Sequence, residues 1–100
     1  MAKVIKFYSD NCAPCKAMAP VFDKVVEHLK SMRDNHTFES KNIGDEGVRE
    51  LAMEAGIRAV PAYVVYMDNG GIRSRGGMMT ERGLQDFLWD AIDGVEEAYE

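Results

Sequence analysis

The chain has 100 residues, a length that suits one compact domain. Hydrophobic residues make up 46% of it and charged residues 29%, so there is enough apolar side chain for a core and enough charge for solubility, and no apolar run reaches the roughly 18 residues of a membrane span. The net charge is −5 and Lys and Arg do not gather on one element, which argues against a nucleic-acid-binding surface.

Lys3 to Tyr8 is apolar and β-rich and reads as a strand that begins at once. The segment Met1 to Phe7 lacks the long apolar stretch and small-residue cleavage site of a signal peptide, so a cytoplasmic protein is expected. Ser9, Asp10 and Asn11 follow as loop and cap residues, with Asn11 expected to cap the next helix. Ala17, Met18, Val21, Phe22, Val25, Val26, Leu29 and Met32 then recur with helical spacing, and Pro20 inside this run predicts a kink.

Thr37 to Ile43 reads as a second strand, a weak one whose only large apolar members are Phe38 and Ile43. Gly44 to Gly47 form a turn and helix start. Val48, Leu51, Ala52 and Ala55 make a short helix that Gly56 closes. Pro61 to Met67 holds the strongest strand signal, Tyr63-Val64-Val65-Tyr66. Asp68-Asn69-Gly70-Gly71 is a hairpin turn, Ile72 to Arg75 the returning strand, and Gly76-Gly77 break it. From Thr80, its N-cap, a last helix is expected to bury Leu84, Phe87, Leu88, Ala91, Ile92 and Val95, and Glu96, Glu97 and Glu100 form a solvated acidic end.

The order β-α-β-α-β-β-α predicts an α/β fold in a single domain over residues 1–100. Helices between the early strands imply parallel pairing, the hairpin adds antiparallel strands, and the result is a four-stranded mixed sheet with helices on both faces.

The two cysteines, in Cys12-Ala13-Pro14-Cys15, stand where the first strand gives way to the long helix. A Cys-X-X-Cys at a helix start puts both sulfurs on the first turn, close enough for a small-loop disulfide. The partial positive charge and unpaired N–H groups of the helix N-terminus favour a thiolate, the nucleophile of thiol–disulfide exchange. Two cysteines cannot make the disulfide framework of a secreted domain, and with His28 and His36 they match no standard zinc finger, so no structural metal is expected. A single soft ion held by both thiolates is a chemically feasible alternative.

These residues, with Asn11 and Lys16 around the cysteines, Pro20, the stretch Gly56-Ile57-Arg58-Ala59-Val60-Pro61, Asn69-Gly70 and Gly77, resemble the thioredoxin-like superfamily over nearly the whole chain. The length is closer to glutaredoxins, whose form lacks the first strand and helix of full thioredoxins. The wording Cys-Ala-Pro-Cys-Lys with Pro20 is closer to thioredoxins, whose usual motif has Gly where Ala13 stands.

The resemblance implies a dithiol–disulfide oxidoreductase that carries electrons without a bound cofactor. Cys12, the more exposed, is the attacking thiolate and Cys15 resolves the mixed disulfide. Pro14 and Ala13 restrict the loop and tune redox poise. Val60-Pro61 is the family's cis-proline loop, whose backbone pairs with an extended client segment. Gly77 either leaves room for a partner near the cysteines or answers a turn requirement.

The implied partners are disulfide-containing client proteins, ribonucleotide reductase among them, with a thioredoxin reductase or glutathione as electron donor, and the protein is expected to be a monomer. Glutaredoxins often carry Tyr between the cysteines, a pattern that Ala13 does not follow. The other class of reading is a thioredoxin-fold docking module without redox activity.

Two positions depart from the family pattern. Asn11 stands where thioredoxins carry Trp, and the only tryptophan, Trp89, is in the last helix. Lys6 stands six residues before Cys12, where thioredoxins carry a buried Asp. Either Lys6 reaches water at the strand end, or it lies beneath the active site, where its charge would stabilise a thiolate and make the disulfide more oxidising. Met78 and Met79 either offer an adaptable apolar surface to clients or fill the core.

Overall fold

The computed structural model describes residues 2–32 and 36–93. Three helices and four strands follow in the expected order: β1 (Lys3–Tyr8), α1 (Ala13–Met32), β2 (Thr37–Asn42), α2 (Val48–Glu54), β3 (Ala62–Tyr66), β4 (Ile72–Gly76) and α3 (Glu81–Asp93). The expected contribution of Val95 and the acidic end at Glu96, Glu97 and Glu100 lie outside the described residues.

The sheet order is β2-β1-β3-β4. β1 pairs with β2 in parallel, Lys6 standing opposite Ser40, whereas β3 runs antiparallel to both β1 and β4. The mixed sheet is as expected, but α2 does not join two parallel neighbours. The chain leaves β2 at one edge, passes along α2, and enters the sheet on the far side of β1 in the opposite direction. Burial explains this placement. Tyr63-Val64-Val65 is apolar on both faces and is completely buried between β1 and β4, while the more polar β2 takes the edge, where charged side chains discourage pairing with another chain.

Strand alternation divides the core in two. Val4, Tyr63 and Val65 face Met18, Phe22, Val25 and Leu29 of α1 and Leu84, Phe87, Leu88 and Ala91 of α3. Ile5, Phe7 and Val64 face Ala52, Val48 and Leu51 of α2. Spacings of three and four along α1 and α3 produce these stripes. Helix α1 continues through Pro20. Helix α2 ends in a Schellman motif: Gly56, at φ 82°, donates to the Met53 carbonyl at 3.0 Å, and Ile57 donates to that of Ala52 at 2.9 Å. Thr80 caps α3 as expected, its Oγ1 accepting the Gly83 N–H at 2.9 Å.

One core group is ill-matched to its surroundings. The Tyr63 ring stacks on Phe22 with centroids 5.8 Å apart, yet its hydroxyl is buried with no hydrogen-bond partner among the described residues. Burial pushes its ionisation up to about 12. An unsatisfied hydroxyl costs roughly 1–3 kcal/mol, so Tyr63→Phe is expected to raise stability by about 1 kcal/mol in urea unfolding. The sign of the pH effect also follows. The unfolded phenol ionises near 10 and the folded one about two units later, so the native chain loses stability as pH rises from about 10 to about 12, and Tyr63→Phe removes that loss.

Candidate active site

β1 ends at Tyr8, and the loop to α1 is held against the end of β2: the Ile43 N–H donates to the Tyr8 carbonyl at 2.8 Å, and Asn42 Nδ2 donates to Asp10 Oδ1 at 3.0 Å. This loop delivers the cysteines to the first turn of α1. Cys12 and Cys15 are joined by a disulfide, with their Cα atoms 5.1 Å apart. Cys12 is half-buried and Cys15 is 4% exposed, so Cys12 is the more accessible of the two sulfurs.

The cap differs from expectation. Cys12, not Asn11, is the N-cap of α1: its carbonyl accepts the Lys16 N–H at 3.1 Å, and its Sγ accepts the Cys15 N–H at 3.1 Å. Sulfur thus takes the place a Ser or Asp oxygen fills at ordinary N-caps, because the Cys-X-X-Cys spacing puts the first sulfur over the third helical N–H. Asn11 lies one residue outside the helix and is exposed. No acidic residue occupies the first turn, and Lys16 lies within it, so nothing there offsets the positive end of the helix dipole beneath Cys12. Ala13 and exposed Pro14 occupy the first two helical positions, where a missing N–H costs no intrahelical bond.

The loop ahead of β3 meets the cysteines from the other side. The Val60–Pro61 peptide bond is cis. Cys12 Sγ lies 3.7 Å from the Val60 carbonyl oxygen. The Gly77 N–H donates to the Pro61 carbonyl at 2.8 Å, tying the end of β4 to the same loop. Gly77 adopts φ 90°, so the turn itself calls for glycine, and a Cβ there would touch nothing within 4 Å. Cys12, Cys15, Val60, Pro61 and Gly77, distant in sequence, are therefore gathered at one end of the sheet.

Met78 and Met79 part company. Met78 is 60% exposed, while Met79 is partly buried against the core on the α1 and α3 side of the sheet.

Two clefts lie near this end of the sheet. The one that reaches the disulfide, of about 320 Å³, opens on the α1 side and is lined by Lys6, Tyr8, Asp10, Cys15, Lys16 and Ser40. Lys6 does not reach freely into water: it is 6% exposed, with Nζ 5.1 Å from the centre of the Phe22 ring and 5.4 Å from that of Tyr8. Burial lowers its pKa, and the charge of Asp23 partly opposes this. The other cleft, of about 300 Å³, runs beside Val60 and includes Arg49, Met53, Ile57 and Arg58. Sequence reasoning missed Ser40 because only strand register shows that it stands opposite Lys6, and it missed Tyr8 although strand alternation puts it on the same face as Lys6. It missed Arg49 because helix α2 and the Val60 loop meet only in three dimensions. Among the described residues, no three His, Cys, Asp or Glu side chains gather as a metal site, and no helix is long and apolar enough to cross a membrane.

The thioredoxin family model matches residues 1–90. The chain is 27% identical over 89 residues to the probable thioredoxin-2 of Caenorhabditis elegans, covering 89% of this chain and 58% of that protein. It is also 27% identical over 85 residues to a thioredoxin of Mycoplasmoides gallisepticum, covering 85% of this chain and 79% of that one. Among solved structures, Malassezia sympodialis thioredoxin (Mala s 13) superposes with a TM-score of 0.73 at 28% identity, over 90% of this chain and 74% of that one. The chain therefore spans less than two thirds of the nematode relative's length.

Proposed function

The chain belongs to the thioredoxin family, and on that footing we propose that it is a dithiol–disulfide oxidoreductase that reduces protein disulfides through Cys12 and Cys15. The observation that carries this reading is the Cys12–Cys15 disulfide at the N-terminus of α1, with the Val60 carbonyl beside its outer sulfur. In the reduced protein, the Cys12 thiolate attacks one sulfur of a client disulfide and the other client sulfur leaves as a thiolate. Cys15 then attacks Cys12 Sγ, closing the internal disulfide and releasing the second client sulfur. The client is thereby reduced by two electrons, and the protein must be recharged by an external dithiol or thiol.

The client is read as an extended segment along the Val60-Pro61 loop, since an exposed backbone edge beside the reactive sulfur binds main chain and tolerates varied side chains. Gly77, without a side chain, leaves that approach open. The reading extends to a monomer in the cytoplasm, where client reduction is favoured over disulfide formation. It also includes ribonucleotide reductase as one client, and recharging by a thioredoxin reductase or by glutathione.

Insulin reduction followed with dithiothreitol tests the activity, and replacing dithiothreitol by either NADPH with thioredoxin reductase or glutathione tests the donor. Catalysed insulin reduction is expected, and the donor that sustains turnover identifies the recharging partner. No acceleration over dithiothreitol alone would instead favour a docking module.

A further inference from the structure

Lys6 is the one buried charged side chain among the described residues, and its amine has neither an ion-pair nor a hydrogen-bond partner there. Two aromatic rings supply its nearest partners, a weak substitute for an anion. Its remaining side opens on the cleft that Cys15 also lines. An unpaired buried cation is costly unless some state of the protein provides its counter-ion. The disulfide form offers no counter-ion within ion-pair distance among the described residues: Asp10 stands at the exposed rim of the cleft, and the charge of Asp23 only partly opposes the effect of burial. Reduction creates one, because breaking the Cys12–Cys15 bond leaves a sulfur at Cys15 that can carry negative charge.

We propose that Lys6 is the proton-exchange partner of Cys15, a positioning residue that holds the proton Cys15 must shed before it can resolve a mixed disulfide. The proposal rests on the dithiol-exchange reading and adds where the proton goes. With a client bound to Cys12, the Cys15 thiol passes its proton to the Lys6 amine across the cleft. The thiolate, paired with the ammonium, attacks Cys12 Sγ. The Cys15–Cys12 bond forms, the Cys12–client bond breaks, and the client leaves as a thiolate. Lys6 then has no anion and releases its proton to water or to the departing thiolate. Recharging by an external thiol runs the same steps backwards.

The other titratable or charged groups around Lys6 are Asp23 and Lys16 of α1, Asp10 of the β1–α1 loop, Tyr8 of β1 and the buried Tyr63, opposite Lys6 on β3. From β2 only the neutral Ser40 lines the cleft. The charge of Asp23 favours the ammonium, and burial disfavours it more strongly. Of the groups lining this cleft, Cys15 is the one whose charge can change with redox state, because only its sulfur is freed by breaking the disulfide.

Two titrations test the coupling. In a Cys12→Ser protein, the Cys15 thiolate is titrated by its far-ultraviolet absorbance with Lys6 present and with Lys6→Met, a replacement of similar length that removes an unpaired buried charge and should fold. The Cys15 pKa is expected to rise by about one unit when Lys6 is replaced. An unchanged value would overturn the proposal.

The second titration needs no substitution. By reciprocity, the Lys6 pKa, followed by NMR of its ε-carbon, should be higher in the dithiol form than in the disulfide form, and equal values in the two forms would also overturn it. Lys6→Met should further make the Cys12–Cys15 disulfide about tenfold harder to reduce, a potential about 30 mV more negative. Failure of insulin reduction with both titrations coupled would instead sink the exchange reading and leave the Lys6–Cys15 pair standing.

Discussion

Cys12→Ser is expected to reduce insulin cleavage to the rate of dithiothreitol alone, while Cys15→Ser still attacks clients and stops at the mixed disulfide. The two variants separate because the sulfurs differ in exposure and in partners. Cys12 is half-buried, caps α1 and faces the Val60 carbonyl. Cys15 is nearly inaccessible from outside, so it can reach only a sulfur already attached to Cys12. Intact-mass analysis after incubation with a disulfide client checks the prediction: a covalent adduct with Cys15→Ser, released by dithiothreitol, and none with Cys12→Ser. Adducts of equal yield on both variants would show that either sulfur can begin the reaction and would overturn the assignment of roles.

Phe7→Ala is expected to have the largest effect on stability, about 3–5 kcal/mol, against a total of roughly 5–15 kcal/mol for a domain of this size. Phe7 is fully buried on the α2 face with Val64 and Ala52, and it pairs across the sheet with Ala62, the residue after Pro61. Its ring therefore packs where β1 leads to Cys12 and β3 follows Val60-Pro61. Losing it opens a cavity at the joint between the two halves of the site. Urea unfolding followed by circular dichroism gives the loss directly. A change below about 1 kcal/mol would mean that the surrounding side chains collapse into the space and that the joint does not depend on the ring.

Much of the architecture was legible in the residues, for physical reasons that differ from element to element. The stripe Met18, Phe22, Val25, Leu29 can satisfy burial only as a helix, and the fully apolar Tyr63-Val64-Val65 only as an inner strand. The Asp68 to Gly71 turn was readable because Gly70 alone suits its φ of 89° and Asn69 can bond forward, its Oδ1 accepting the Gly71 N–H at 2.8 Å. Thr80 and Gly56 marked helix ends because capping is local chemistry. Less legible were features that depend on two elements at once. Pro20 does not end α1, which runs from Ala13 to Met32 with Met18, Phe22 and Val25 buried on both sides of the proline. Asn11 does not cap α1 because the helix begins one residue later, with Cys12 Sγ accepting the Cys15 N–H.

By itself, then, the sequence determined the order of helices and strands, the dithiol at the head of α1, and the family pattern, since each depends on residues close together in the chain. Only the tertiary structure decided that β3 enters beside β1 at the centre of the sheet, because a strand apolar on both faces gains more by burial there than at an edge. It also decided what Lys6 faces. The β1 pattern Lys3-Val4-Ile5-Lys6-Phe7 leaves open whether Lys6 meets water or core. The packing of Phe22 and Tyr8 over its amine, with Cys15 lining the same cleft, places the charge where a thiolate would find it.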